Sequence, residues 1–272
     1  MSGLRHRVGA LKGQAIRSTG AAVAALLRRR KPTSYRQGVT VMIVNWNSLP
    51  FLQATLAATR AMSSDDVELL VIDNASTDGS REFLAAQDDV RTIELPVNVG
   101  HGVALDIGAS SIDTEYLAVL DVDAFPVSSS WLDESVGALR SGATVAGARM
   151  HRNFVHPCFL VTETETLHRY GLTFRPVGSL SSLEREAPLF LDVGEALCQR
   201  AIVKFGGGKA LHFFEITDAL GPGPARAVFG DLVYHNMYAT QGRGQQGAPD
   251  SWRDAMHRFH PDLAAELWAD EK

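Results

Sequence analysis

The chain has 272 residues, 45% of them hydrophobic, which is enough to bury the core of one large domain or two small ones and makes disorder an unsuitable default. Its formal net charge of −5 is unevenly spread: residues 1–38 hold nine of the 26 Lys and Arg and no carboxylate, so the remainder carries 17 basic against 31 acidic residues, a net −14. An acidic body argues against a nucleic-acid groove, two cysteines (Cys158 and Cys198) make no disulfide framework and fit a reducing cytosol, and no apolar run has the length of a membrane span or the layout of a secretory signal.

The basic leader comes first. Leu4, Val8, Leu11 and Ala15 fall at helical spacing, and a second apolar patch from Ala22 to Leu27 runs into Arg28-Arg29-Arg30-Lys31 and then Pro32. Two readings stand: an amphipathic helix in which residues 1–31 touch anionic lipid at the inner face of the membrane, or a solvated tail or helix packed on its own domain.

From Val39 to Val44 the run reads as a buried strand, and Leu49 to Ala61 has helical spacing through Leu52, Leu56 and Ala57. Val67 to Ile72 is the next strand and ends at Asp73. Asn74 to Ser80 is rich in turn and cap residues, with Thr77 or Asp78 placed to cap a helix running to Gln87. Val90 to Leu95 reads as a third strand, Val103 to Ile112 as a helix and Tyr116 to Leu120 as a fourth strand. This alternation predicts an α/β fold, a mostly parallel sheet with helices on both faces. Ligands bind such sheets at the carboxyl ends of the strands, where Asp73 and Asp121 both fall.

The second half is less regular. Ser128 to Arg140 reads as a helix, and Ala143 to Ala148 and His156 to Thr162 as strands. The loop-rich stretch 170–187 is suited to shaping a pocket. A helix from Glu195 to Phe205, stopped by Gly206-Gly207-Gly208, precedes a late strand from Ala210 to Phe214, and His235 is expected after a further strand. The stretches 221–224 and 241–248 read as loops, and Ser251 to Phe259 and Pro261 to Ala269 as closing helices. The expected organisation is a leader over 1–38, a main domain over 39–250 divided into 39–126 and 127–250, and C-terminal helices over 251–272.

The chemistry concentrates at Leu117-Ala118-Val119-Leu120-Asp121-Val122-Asp123. A charged strand end must leave the core, because a buried unpaired carboxylate is costly. Two carboxylates there suit a hard divalent cation holding a diphosphate, although a lone Asp-X-Asp is more often a pair of turn or cap residues. The first strand lacks the glycine-rich turn of a dinucleotide site, Gly100-His101-Gly102 lacks the full glycine spacing, and there is no GxxxxGK loop.

Four stretches in order carry a resemblance. Val39-Thr40-Val41-Met42-Ile43-Val44-Asn45-Trp46-Asn47, Val71-Ile72-Asp73-Asn74-Ala75-Ser76-Thr77-Asp78-Gly79-Ser80, Asn98-Val99-Gly100 with Ala104 and Gly108-Ala109, and Leu120-Asp121-Val122-Asp123 resemble the signatures of family-2 glycosyltransferases with the GT-A fold. The resemblance implies a Rossmann-like nucleotide-binding half and a smaller acceptor-side region. It also implies transfer of a sugar from a nucleotide-sugar donor, most commonly a UDP-sugar, to a glycan or glycolipid acceptor in the cytoplasm. Asp73 would accept a hydrogen bond from the base, and Asn45 and Asn47 would lie near base or ribose. Asp78 would line the nucleotide pocket or cap its helix, and Asn98 and Gly100 would shape the donor loop. Asp121 would face ribose or metal and Asp123 would ligate Mn2+ or Mg2+. Some GT-A enzymes add a late histidine ligand, here His235.

An inverting displacement needs a carboxylate base, for which Leu191-Asp192-Val193-Gly194-Glu195 offers Glu195 or Asp192. Either residue alone also reads as a cap or dipole partner of its helix. His156 is a pocket-lining or structural residue, and Arg243 a loop charge. Two further readings remain: a nucleotidyltransferase, which would show a glycine-rich basic loop after its first strand, and a degenerate family member that binds nucleotide-sugar without turnover.

Overall fold

The first apolar run becomes strand β1 (Arg36–Asn45), which starts ahead of the expected boundary at residue 39. It pairs in parallel with β2 (Glu68–Asp73) on one side and β4 (Thr114–Asp121) on the other, with Val41 opposite Leu69 and Ala118. β3 (Val90–Glu94) adds beyond β2, and β7 (Val155–Glu163), β6 (Val145–Arg149) and β8 (Leu211–Phe214) add beyond β4. In this seven-stranded sheet only β7 runs against its neighbours. The computed structural model describes residues 32–149, 153–176, 192–219, 226–236 and 248–269. The leader over 1–31 and the expected loops over 177–187, 221–224 and 241–247 lie outside these residues.

Successive residues of the central strands serve opposite layers. Val41, Ile43, Val71, Ala118 and Leu120 share one core with α1 (Leu49–Ala61), α2 (Ser80–Ala85) and α4 (Trp131–Arg140). Met42, Val44, Leu70, Ile72 and Val119 share the other with α3 (His101–Ala109), α5 (Thr164–Tyr170) and α6 (Glu195–Phe205). Burial on both faces is why these strands read as continuous apolar runs instead of alternating ones. Each fully buried Val, Leu or Ile contributes roughly 1.5–3 kcal/mol.

A second sheet, antiparallel and four-stranded, corrects the expected layout of the later chain. Its order is β5 (Ala124–Pro126), β11 (Val233–Asn236), β10 (Arg226–Phe229) and β9 (Ile216–Ala219). Strands of three or four residues are too short to announce themselves by alternation. His235 accordingly lies inside β11 and not after a strand. Helix α5 is also an addition; its buried residues, Thr164, Leu167 and His168, are too few to display a period. Other boundaries move by a few residues. α4 starts at Trp131, not Ser128, because the Ser128 hydroxyl accepts the Ser130 amide in a turn ahead of it. α2 stops at Ala85, short of Gln87, and α3 spans 101–109 in place of 103–112. The closing helices α7 (Ala248–Phe259) and α8 (Pro261–Leu267) share a third core with α1, Phe125 and Tyr234. There the Trp252 ring meets Phe125 edge-on at 4.9 Å, and His260 Nε2 lies 2.7 Å from the Pro126 carbonyl oxygen.

Gly147 in β6 shows how tightly the sheet closes. Its φ is +153°, and a Cβ there would lie 2.0 Å from the Phe159 carbonyl oxygen and 2.9 Å from Leu160 Cα. Gly147→Ala therefore forces backbone apart, and its denaturation midpoint should fall by the equivalent of about 2–4 kcal/mol; an unchanged midpoint would contradict this packing.

Candidate active site

Three parallel strands deliver polar residues to one edge: β1 ends at Asn45, β2 at Asp73 and β4 at Asp121. Asp73 is fully buried, so each carboxylate oxygen needs donors. Oδ1 accepts the Ser76 amide at 2.9 Å and Arg81 Nε at 3.0 Å, and Oδ2 accepts Asn45 Nδ2 at 3.2 Å. Asn45 Nδ2 also reaches Ser76 Oγ at 3.1 Å, while its Oδ1 is buried with no hydrogen-bond partner. Asn47 adopts φ 49°, and its Oδ1 accepts the Thr77 amide at 2.7 Å. The ends of β1 and β2 are thus cross-tied into one turn.

Asp78 caps two helices at once. Its Oδ2 accepts the Leu49 amide at the start of α1, and its Oδ1 accepts the Ser80 amide at the start of α2. These bonds outweigh its partial burial and hold the carboxyl below its usual range. Asn98 Oδ1 accepts the Gly100 amide at 2.9 Å and Asn74 Nδ2 at 3.2 Å, and Asn74 Oδ1 accepts the Val99 amide. Gly100, at φ +87°, turns this loop into α3.

The second cluster is Asp121, Asp123 and His235, one ligand atom of each lying within 4.8 Å of the others. His235 Nε2 is 3.4 Å from Asp123 Oδ1 and 3.6 Å from Asp121 Oδ2. Two backbone features build it. β5 pairs with β11, setting Ala124 opposite His235, and the Asn236 amide donates to the Asp123 carbonyl at 2.9 Å. Thr55 of α1 donates its hydroxyl to the carbonyls of Val122 and Ala124 at 2.8 and 3.1 Å, fixing the turn between the aspartates.

Three neighbours to which the sequence assigned no such part complete this cluster. His101 Nε2 stands 3.2 Å from Asp121 Oδ1, which is nevertheless buried without an aligned hydrogen bond. The His156 ring lies 6.2 Å from that of His235, and the buried Cys158 follows it on β7. Burial alone would raise the Asp121 pKa, but His101, His156 and His235 outweigh it and push it well below the carboxylate range. Burial likewise opposes the charged form of His235, and Cys158 and Asp123 outweigh it, raising its pKa well above the ordinary value. The Cys158 thiol is lowered despite full burial, chiefly by His235 and His156. His101 was visible only as part of Gly100-His101-Gly102 at a strand's carboxyl end; nothing local marked His156 or Cys158 as its companions.

The carboxylates Asp192 and Glu195 sit at the start of α6. Glu195 is buried; its Oε2 accepts the Asp192 amide at 3.0 Å, and the Asp192 carbonyl accepts the Glu195 amide at 3.2 Å. Asp192 Oδ1 accepts the Val193 amide at 2.8 Å. Cys198 of this helix donates to the Val155 carbonyl, which puts the α6 start against the strand that carries His156. Arg243 lies outside the described residues.

Residues 40–169 match the family model described as glycosyl transferase family 2. The chain is 30% identical over 90 residues to an uncharacterised glycosyltransferase of Nostoc sp., covering 31% of this chain and 28% of that protein. It is 27% identical over 90 residues to the teichoic acid poly(glycerol phosphate) polymerase of Staphylococcus epidermidis, covering 31% of this chain and 12% of that one. The chain therefore matches under a third of the length of these curated relatives. Among solved structures, the mannosyltransferase PcManGT of Pyrobaculum calidifontis with GDP-Man and Mn2+ aligns with a TM-score of 0.52 and 16% identity, over 93% of this chain and 79% of that one. S. aureus TarS with UDP-GlcNAc aligns at 0.52 and 14%, over 86% and 67%. At such identities the likeness establishes the fold, which is GT-A.

The Asp73 turn depends on an uncharged side chain at position 45. Asn45→Asp would set a second carboxylate against a fully buried one. It should lower stability at neutral pH by about 1–3 kcal/mol. Protonating the new carboxyl removes the repulsion, so urea midpoints should show part of that loss recovered on mild acidification. A variant as stable as wild type at neutral pH would refute the arrangement.

Proposed function

We propose that this chain is a glycosyltransferase that moves a sugar from a nucleoside-diphosphate-sugar to a hydroxyl acceptor with inversion. The observation that carries the reading is the convergence at one sheet edge of the Asp73 turn with the Asp121–Asp123–His235 cluster. The base pocket would form at Asp73, with Asn45 and Asn47 beside it, Asp78 bracing its floor, and Asn98 and Gly100 shaping the loop next to the donor.

The second cluster fits a divalent cation. Two carboxylates and an imidazole are a hard donor set suited to Mn2+ or Mg2+, and the unpartnered buried atoms Asp121 Oδ1 and His235 Nδ1 leave capacity for further contacts. Asp121, Asp123 and His235 would hold the ion, which would supply Lewis-acid stabilisation of the departing diphosphate. Glu195, or Asp192 beside it, would take the acceptor proton at its carboxylate. The Asp73 turn would wall the nucleobase, and His101 Nε2 stands 3.2 Å from Asp121 Oδ1.

A second reading has its own observation: the Glu195 carboxylate is engaged by the Asp192 amide, which favours a domain that binds nucleotide-sugar without turning it over. Both GDP- and UDP-sugars belong in a test, because PcManGT is solved with GDP-Man and TarS with UDP-GlcNAc. The acceptor is a glycan or glycolipid.

With a panel of nucleoside diphosphates and nucleotide-sugars, one nucleoside diphosphate should raise the melting temperature in the presence of Mn2+. Asp123→Ala should lose that shift and the transfer or hydrolysis of the donor while keeping its own fold. No shift with any nucleotide in folded protein would sink the donor site, and a shift without transfer or hydrolysis would select the binding-only reading.

Proton and metal should compete at His235. Its pKa is raised, so as pH increases through that value the ring loses its proton and becomes able to ligate. Mn2+ affinity by titration calorimetry should therefore tighten with pH, by up to about tenfold per unit below that value. His235→Gln should bind weakly and lose that slope; an equal slope in the variant would place the competing proton elsewhere.

A further inference from the structure

A surface at the other edge of the sheet is not used by this chemistry. β7 runs against β4, so α5, which follows it, lies at the edge opposite Asp121. β8 is parallel to β6, which is antiparallel to β7, so the end of α6 that leads toward β8 lies there too. Between these helices is a shallow cavity of about 670 Å³, walled by Arg169, Tyr170, Gln199, Arg200, Val203 and Lys204 among others, with no carboxylate among its described lining residues.

The patch combines cations with apolar groups left in water. Val203 is 86% exposed, and Tyr170 and Phe205 are each 38% exposed. The two rings pack edge-to-face with centroids 4.9 Å apart, and Lys204 Nζ lies 5.1 Å from the Tyr170 centroid. Arg200 donates to the Gly171 carbonyl, and Arg169 pairs loosely with Glu165 at 3.6 Å, so the cations are held at the rim of the apolar group. Arg200, Val203 and Lys204 share one helix face, while Leu197, Cys198 and Ala201 bury the other.

We propose that this face docks on an anionic lipid bilayer. Long basic side chains reach headgroup phosphates while their stems and the aliphatic and aromatic groups enter the interface. A nucleic-acid backbone would use the cations but leave Val203 and Phe205 in water. The body outside residues 1–38 is net −14, so a negative surface repels it except where charge is locally reversed, and this fixes the orientation. The chain entering the described fold supports the same occupant. Tyr35 bonds His168 of α5 at 2.9 Å, next to Arg169, and the sequence ahead of residue 32 holds eight further basic residues and no carboxylate. A basic leader has no charge complementarity with this basic patch, but both complement the same anionic surface. Docked so, the Asp121 edge faces away from the lipid. None of the described helices is long and apolar enough to cross a membrane.

The test is flotation of the full chain with vesicles of phosphatidylcholine alone and of equimolar phosphatidylcholine and phosphatidylglycerol, without donor or metal. Wild type should float only with the anionic vesicles, and raised salt should release it. The double variant Val203→Asp, Lys204→Glu, both on exposed positions, should bind more than about tenfold less with an unchanged melting temperature. Equal flotation of wild type and variant would assign lipid binding to the leader alone and overturn the proposal. No flotation of wild type, with a melting shift by inorganic phosphate that the variant loses, would overturn it in favour of a soluble anion. The readout needs no nucleotide, so it stands apart from the fate of the transferase reading.

Discussion

Two carboxylates held within 4.8 Å, one buried and one partly buried, are the constraint that the site has to satisfy. At that separation and an effective dielectric near 20, their repulsion is about 3–4 kcal/mol, a large share of the stability of an ordinary domain. Something positive must lie between them. The fold supplies His235 from a strand more than a hundred residues later, and His101 stands at the outer carboxylate. Two carboxylates gathered about an imidazole in this way are suited to take a divalent ion, because the ligand atoms are already brought together.

Asp73 meets a related demand by another route. It is fully buried, and its carboxylate is met by Arg81, Asn45 and the Ser76 amide. The same bonds tie the ends of β1 and β2 together and so hold the turn at this edge of the sheet. Asp78 extends the economy of parts: one side chain caps the helices that follow both strands. The residues that shape this edge are therefore also residues that terminate and start elements, which is why the stretches that carry the resemblance are short and lie at strand ends.

The family match ends at residue 169, yet the third member of the acidic cluster comes from β11. The small antiparallel sheet joins the two parts. β5 leaves the second aspartate directly and pairs with β11, and α7 and α8 bury Phe125 and Tyr234 behind it. Disturbing that third core would be felt at His235 through the backbone, without any contact between the closing helices and the carboxylates being required.

Much of the architecture of the first half was legible in order along the chain. Leu49 to Ala61 and Glu195 to Phe205 are helices as their spacing predicts, and Asp73 and Asp121 end strands as their position after apolar runs predicts. These features are local: a strand buried on both faces must be apolar throughout, and a carboxylate following it must come to an edge. The small sheet, helix α5, and the company of His101, His156, Cys158 and His235 around Asp121 are not local. The strands of the small sheet and α5 are too short to carry a period, and the side chains around Asp121 meet because β5 turns back to pair with a strand a hundred residues on and β7 pairs with β4. Which residues bear charge at a strand end was set by the sequence alone; which charges face one another was decided by tertiary pairing, since no spacing along the chain encodes a distance across it.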